Sequence, residues 1–565
     1  MDKIWLKSYP AGVPAEIDVS AFRSLNEIVE QSYHKFADGV AYVQMGRSMS
    51  YAELAQKSRN FAAWLQNEAR LKKGDRLAVM LPNLLQYPVV MLGALRAGLA
   101  VVNTNPLYTA PELEHQLQDS GAEAIVVLEN FAHVLGKVIS RTKVRVVVVT
   151  AVGDMLRFPK SLIVNFVVRR IRKQVPPWHI AGARRLVAAL AAGKSLGVAE
   201  VEVQSDDVAF LQYTGGTTGV AKAAMLTHGN VVANVLQARA WVAPVFAGEP
   251  ATLVTALPLY HIFALTANCF LFLSLGWRNI LIVNPRDLPT LIGEMKKYPF
   301  TFFSGVNTLF NALLNAPAFA AVNFSRLKVT LGGGMAVQAS VAERWQRVTG
   351  KAITQAWGLT ETSPAGCINR VDEPFNGSVG LPIPSTEISI KDDGGDDLAL
   401  NQVGEICVRG PQVMRGYWNR PDETAKVMLP GGWLRTGDIG RMSETGHVYI
   451  EDRKKDMILV SGFNVYPNEV EAIAAAHPGV LEAAAVAMPD EHSGESVALF
   501  VVAKDPTLTE AALIEHCRQS LTGYKVPKHV YFKAALPKSN VGKILRRAVR
   551  EELVSGAARV KNSRH

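Results

Sequence analysis

Residues 212–222 read QYTGGTTGVAK. The apolar run Val208-Ala209-Phe210-Leu211 leads into this stretch and Ala223-Ala224-Met225-Leu226 leads out of it, so the spacing predicts strand, tight loop, strand. A cluster of glycine and threonine alone more often makes a surface hairpin. Here the bend between two strands lets Gly215, Gly216 and Gly219 bring backbone N–H groups close to an anion, because no side chains stand in the way. Thr214, Thr217 and Thr218 add hydroxyl donors, and Lys222 adds a point charge. A Walker A loop needs its lysine directly after the last glycine, at the start of a helix. Val220 and Ala221 intervene, which leaves a phosphate-holding loop of another kind.

The chain has 565 residues, 48% of them apolar, enough for several core-bearing units of roughly 100–200 residues each. No uncharged, strongly apolar stretch reaches about 18 residues, so no spanning helix is expected. The opening MDKIWLKSYPAG lacks the apolar centre of a signal peptide. Cys269, Cys367, Cys407 and Cys517 match no metal-site spacing, and the expectation is reduced thiols in the cytoplasm.

The net charge of +10 is unevenly spread, with no Asp or Glu between Met155 and Val198. Within RFPKSLIVNFVVRRIRKQ (157–174), Leu162, Ile163, Val164, Phe166 and Val167 alternate with Arg169, Arg170, Arg172 and Lys173. Such a segment can lie on an anionic membrane surface, or pack its apolar face on the protein and leave its charges in water. Nucleic acid is not expected as a partner, since neither stacking aromatics nor a recognition helix accompanies the charge.

Strand-like runs alternate with helical ones through most of the chain. RLAVML precedes LLQYPVVMLGALRAG, AEAIVVL and VRVVVVT bracket another helical stretch, and PFTFFSGV and LKVTLGGG come later. Alternation of this kind predicts parallel sheets covered by helices. Near residue 385 the texture changes to short strands between Gly-rich or Asp-rich turns, EISIKDDGGDDL, GEICVRG and GHVYIEDR, predicting a small antiparallel sheet or barrel. After DRKKDMILVSGFNVYP comes a last unit, with AAAVAM, VALFVVAK and the helical EAALIEHCRQSL.

Four further stretches carry chemistry that a nucleotide and an activated carboxylate require. AWGLTETSP offers the flat face of Trp357 and the hard oxygen ligand of Glu361, suited to Mg2+. GGWLRTGDIG carries Asp438, whose carboxylate can accept from both hydroxyls of a ribose. DRKKDMILVSGFNVYP sets Arg453, Lys454 and Lys455 in a row, and LPKSNVGKILRR sets Lys543 after a glycine, with Arg546 and Arg547 beyond. Singly, each has a plain structural reading as a core Trp, a turn Asp, an exposed edge or a surface turn.

Taken in order, YTGGTTGVAK, AWGLTETSP, WLRTGDIG, DRKKDMILVSGFNVYPNEVE and PKSNVGKILRR resemble the AMP-forming adenylating superfamily, and within it the bacterial long-chain fatty acyl-CoA synthetases. The resemblance runs from IWLKSYPAGVPAEID through LPNLLQYPVVMLGALRAG and VNTNPLYT to the last helix. It implies an α/β fold: a large N-terminal domain of two helix-covered sheets plus a small β-barrel, residues 1–453, and a small mobile α+β C-terminal domain, residues 454–565. It also implies two half-reactions, in which a fatty carboxylate attacks the α-phosphate of ATP and the thiol of coenzyme A then displaces AMP.

Carried over position by position, the resemblance has Thr214 to Lys222 cradle the β- and γ-phosphates and Thr214 with Glu361 hold Mg2+. Trp357, with Gly358 beside it, stacks on adenine, and Thr360 contacts the α-phosphate. Gly333 and Gly334, in LGGGM, line the boundary between adenine and acyl group. Asp438 and Arg453 hold the ribose, and Lys543 bridges carboxylate and phosphate. For the second step the C-terminal domain turns about Lys455, Ser461, Gly462 and Phe463 face the pantetheine arm, and His261, in PLYHIF, gates its tunnel. On its residue type alone, His261 reads as a satisfied interior histidine.

From Pro250 to Arg286 there is no Asp or Glu, and HIFALTANCFLFLSLGW is almost wholly apolar. An unpaired buried charge is costly, so an uncharged chain suits this region, at about 0.8 kcal/mol for each methylene buried. A medium-chain or aryl acid–CoA ligase of the same superfamily is the alternative. Trp357 stands where relatives commonly have Tyr, which keeps a stacking face and loses a hydroxyl. Ala223 replaces a frequent glycine, and Leu265 stands near a tryptophan gate of some thermophilic relatives. The expected location is cytoplasmic; contact with the cytoplasmic face of the inner membrane and a homodimer are admitted rather than required.

Overall fold

The computed structural model describes residues 3–214, 221–539 and 542–554. Two largely parallel sheets form the body. One has seven strands in the order Arg184–Arg185, Val146–Thr150, Ala124–Leu128, Arg76–Met80, Ala100–Asn103, Val208–Thr214, Lys222–Thr227, all parallel except the last pair. Val147, Val148 and Val149 are buried, as β-branched residues in a strand covered on both faces should be. The other sheet has nine strands, with a parallel centre of Val40–Gln44, Arg278–Leu281, Thr252–Thr255, Phe302–Gly305, Val329–Gly333 and Ile353–Gly358, and antiparallel strands at both edges. The helix His228–Phe246 opens on a capping box, in which the Thr227 hydroxyl accepts from Asn230 N and Asn230 Oδ1 accepts from Thr227 N.

The region beyond residue 385 is a five-stranded antiparallel sheet built on the long strand Trp433–Met442. One edge of that strand carries Gly404–Arg409, which in turn pairs with Glu387–Lys391. The other edge is shared end to end, Met428–Leu429 bonding near residue 434 and Val448–Arg453 running from Asp438 to Met442. Among the described residues no ladder joins Glu387–Lys391 back to the far edge, so of the sheet or barrel that the sequence predicts here the ladders form an open sheet.

The last unit has its own core. Ile458, Val465, Val470, Leu499, Val501 and Leu513 are buried together, apart from the cores of the larger body. Its central strand Gly494–Ala503 lies between Val480–Asp490 and His529–Phe532. All four cysteines are buried and free. No helix among the described residues is long and apolar enough to cross a membrane.

The segment 157–173 packs part of its apolar surface on the protein and leaves the rest in solvent. It forms the helix Lys160–Phe166 and a wider turn, Val167–Ile171. Val164 and Val168 pack on the core. Phe158, Leu162, Ile163, Phe166 and Ile171 face solvent, Phe158 at 80% exposure. The segment therefore presents apolar side chains on two sides.

Candidate active site

The strands of the two parallel sheets end at one cleft. Thr214, Gly333 and Gly358 are the last residues of Val208–Thr214, Val329–Gly333 and Ile353–Gly358, the carboxyl ends where open α/β sheets leave a crevice. A cavity of about 1550 Å3 runs from these ends to the C-terminal unit. Thr214, Lys222, Glu361, Asp438, Arg453 and Lys543 line its polar side. Ala238, Val242, Phe263, Leu271 and Phe302 line an apolar side, between the helix His228–Phe246 and the segment from Ile262 to Ser274.

Gly215, Gly216, Thr217, Thr218 and Gly219 lie outside the described residues; the two strands that flank them pair antiparallel, with Thr214 opposite Lys222. The Thr214 hydroxyl donates to Lys222 O at 3.3 Å. Lys222 Nζ donates to Glu423 at 2.6 Å and lies 4.9 Å from the centre of the Tyr417 ring. Its ammonium, backed by Lys426, pulls the Glu423 carboxyl down to about 2. Glu361 accepts from the Tyr417 hydroxyl at 2.6 Å. Burial and the Glu361 charge push the Tyr417 hydroxyl up, so it remains a donor. Thr360 lies beside Glu361 in a single helical turn, Thr360–Thr362, on the cavity wall. Gly358 is there because the backbone folds back on it: a Cβ would sit 1.8 Å from Pro364 O.

Asp438 and Arg453 face each other across the ladder, and their side chains meet at 2.5 Å. The second oxygen of Asp438 accepts from Trp357 Nε1 at 2.8 Å. Trp357 thus offers more than a stacking face: its ring is buried against Gly366, and its N–H fixes the carboxylate that neighbours the cleft.

Lys543 enters from the C-terminal unit. Gly542 O accepts from Thr308 Oγ1 at 2.9 Å, and the Lys543 side chain passes over Gly334, where a Cβ would sit 3.3 Å from Cε. Gly334 has φ +79°, so a substitution there meets both the lysine and the left-handed backbone. At Gly333 a Cβ would press on the Phe263 ring at 3.1 Å. Burial holds the Lys543 ammonium down to about 8, Arg453 adding repulsion while Asp438 and Glu361 oppose it. Burial and the same Lys543 charge hold His261 down to about 3, and its Nδ1 accepts from Phe263 N at 3.3 Å. His261 is a neutral helix cap on the cavity wall. Lys455 is lowered by burial and by Arg453.

Ser461, Gly462 and Phe463 are not at this cleft. They form an exposed hairpin tip, Ser461 and Gly462 at φ +50° and +84° as a two-residue turn between Ile458–Val460 and Phe463–Val465 requires. Phe463 stacks on Tyr524, 5.0 Å between centres. Leu265 is buried in the core. Tyr417 and Glu423 went unread in the sequence because nothing local marks them; an isolated bridge between Ala224 and Tyr417 brings that segment to the loop lysine.

The AMP-binding enzyme profile matches residues 29–418, and that of the AMP-binding enzyme C-terminal domain matches 469–543. The chain belongs to the AMP-binding enzyme family. Relatives of this family member include the long-chain-fatty-acid–CoA ligase of Escherichia coli O157:H7, 55% identical over 98% of each chain. The long-chain-fatty-acid–CoA ligase of Haemophilus influenzae is 52% identical, over 98% of this chain and 99% of its own. Among solved structures, the anthranilate CoA ligase AuaEII in complex with anthranoyl-AMP superposes with a TM-score of 0.84 at 22% identity, covering 96% of this chain and 100% of its own, which establishes the fold.

Replacing Trp357 by Phe keeps the ring and removes the N–H that fixes Asp438. A hydrogen bond to a charged group contributes about 1.5–3 kcal/mol, so AMP should bind about tenfold or more weakly by calorimetry; unchanged affinity would remove Trp357 from this role.

Proposed function

We propose that the chain is an ATP-dependent long-chain fatty acid–CoA ligase that forms an acyl-adenylate and passes the acyl group to coenzyme A. The observation that carries this reading is the half-buried Lys543 cation, placed at the junction of a polar phosphate-type site and an apolar trough. In the first step a carboxylate oxygen bonds to the α-phosphorus of ATP, and the bond to pyrophosphate breaks. Negative charge gathers on carboxylate, phosphate and leaving group together, and a preorganised cation in a dry site stabilises that distribution more than it stabilises the separate substrates. In the second step the sulfur of coenzyme A bonds to the acyl carbon, AMP departs with the bonding pair, and the thiol proton passes to solvent.

The roles proposed for the remaining residues follow their placement. Asp438 and Arg453 hold the ribose, Trp357 aligns Asp438 and borders the adenine, Thr360 contacts the α-phosphate, and Gly333 and Gly334 line the boundary between adenine and acyl group, Gly334 leaving room for Lys543. Lys222 exchanges Glu423 for phosphate oxygens. Thr214 and Glu361 would hold Mg2+. The donor set fits it: Glu361 offers one carboxylate and Thr214 a hydroxyl on the same cavity wall, and Mg2+ on a nucleotide needs only one or two carboxylates beside phosphate and water. When bound, the ion neutralises charge on the departing pyrophosphate. The apolar side of the cavity suits a long alkyl chain, since none of Ala238, Val242, Phe263, Leu271 and Phe302 offers a polar atom from its side chain. We place the division of the chain after Arg453, with residues 454–565 turning about Lys455 between the steps, which would carry the 461–463 hairpin to the cleft as Lys543 leaves.

Residues 157–173 are proposed to rest on an anionic bilayer such as the inner membrane. Arg169 is bound by Glu129 at 2.7 Å, while Arg157, Arg170, Arg172 and Lys173 are exposed beside Phe158, Leu162, Ile163, Phe166 and Ile171.

Lys543→Ala should slow fatty-acid-dependent pyrophosphate release ~10²–10³-fold, with thioester formation from supplied acyl-adenylate much less affected; equal losses would refute the assignment. The ammonium is charged below its pKa of about 8, so kcat/KM for the first step should be level on the acid side of that value and fall about tenfold per pH unit above it, a limb absent in the variant. With ATP and coenzyme A, AMP release should be faster with palmitate than with octanoate or benzoate; the reverse order favours the medium-chain or aryl alternative. In co-sedimentation, phosphatidylglycerol vesicles should retain the protein better than phosphatidylcholine vesicles, and Phe158→Ser with Phe166→Ser should abolish the difference. Equal retention on both lipids would sink the membrane reading.

A further inference from the structure

Arg546 lies three residues beyond Lys543, at the first position of the helix Arg546–Val554, and its guanidinium is enclosed by acceptors. Nε and one amino group form a fork onto Glu471, at 2.8 and 2.7 Å. Nη1 donates to Asp452 Oδ1 at 2.8 Å and lies 3.4 Å from Asp456, and Nη2 donates to Asn468 Oδ1. Glu471, Asn468 and Asp456 follow Lys455 in the chain and belong with Arg546. Asp452 does not: it is held in the five-stranded sheet, paired with Ile439. The other oxygen of Asp452 accepts from Asn468 N at 2.7 Å, at the start of the helix Pro467–Ala476. Lys525–Glu469, Lys528–Asp490, Lys533–Glu552 and Lys538–Glu482 all stay inside the C-terminal unit, whereas Arg546–Asp452 crosses its boundary.

From this placement we infer that Asp452 is a positioning residue for the first half-reaction: its pair with Arg546 latches the C-terminal unit in the orientation that inserts Lys543, and turning the unit about Lys455 requires the pair to part. This rests on the two-step ligase reading. The Asp452 side chain has no exposed surface and Arg546 keeps 15%, so water screens the pair little. Burial pushes the Asp452 carboxyl up to about 6 while Arg546 draws it back, leaving it ionised at neutral pH. Arg546 retains Glu471 when the units separate, so only one partner is left without its counter-charge. The bond is therefore strong enough to bias the orientation and is not needed to hold the small unit together. Asp452 lines the same cavity as Lys543 and Asp438 but, among the described residues, makes no hydrogen bond or ion pair with either; it acts through the orientation of the unit that carries the lysine.

The test separates the half-reactions in the full-length protein. Asp452→Asn is nearly isosteric and can still accept from Asn468 N. It should slow palmitate-dependent pyrophosphate release about tenfold, the loss expected when the competent orientation is depopulated by that factor. Thioester formation from supplied palmitoyl-adenylate and coenzyme A should be unchanged or faster. Glu471→Gln, which weakens Arg546 within its own unit, should slow both steps alike, and gives the signature of a merely structural defect. Equal losses for Asp452→Asn, or an unchanged first step, would overturn the latch. If the wild-type chain itself performs neither step, the ligase reading fails instead.

Discussion

A half-buried ammonium group set between two separately cored bodies is the constraint around which this molecule is arranged. Lys543 gives up water and meets Arg453 nearby, and both effects work against its charge. What makes the position tenable is shape. Gly334 supplies a floor with no Cβ, Gly542 is anchored by Thr308, and Asp438 and Glu361 give the cation a negative field to sit in. A cation held at that cost is poised for a substrate that brings negative charge, and restoring its solvation by binding carboxylate and phosphate is a larger gain than any surface lysine could make.

The same economy of water explains the other side chains of the cleft. Asp438 is bonded on both oxygens before any nucleotide arrives, by Arg453 and by Trp357, so its orientation is set in advance. Lys222 and Glu361 each have a provisional partner, Glu423 and the Tyr417 hydroxyl. His261 is kept neutral by burial and by the lysine, and serves the backbone as a cap. Charge is thus confined to groups that face the phosphate side, and the trough beside Phe263 stays free of it.

Much of this was legible in the amino-acid order. A run such as VRVVVVT can hardly be anything but a strand covered on both faces, and QYTGGTTGVAK between two apolar runs demands a bend. The motif residues Thr214, Glu361, Asp438, Arg453 and Lys543 do converge on one cavity. The rest depends on contacts between distant segments. Tyr417 and Glu423 reach Lys222 only because two chain segments bridge at Ala224. Trp357 was read as a face, whereas its edge is what bonds Asp438. The open sheet after residue 385 could not be told from a barrel, because ladder closure depends on which edge each strand finds. The tip at Ser461 and Gly462, which the resemblance assigns to the second step, is a tight turn exposed to solvent in this orientation.

The strand Val448–Arg453 joins the open sheet to the C-terminal unit, and its last residue is the one that meets Asp438. With the pivot proposed at Lys455, the Asp438–Arg453 pair proposed to hold the ribose lies just before the pivot and stays with the larger body, while Lys543 belongs to the unit that turns. A turn that withdraws the lysine then barely disturbs the grip proposed on the ribose. The adenylate can be kept in register throughout, so the reaction changes its catalytic partner without ever releasing its intermediate.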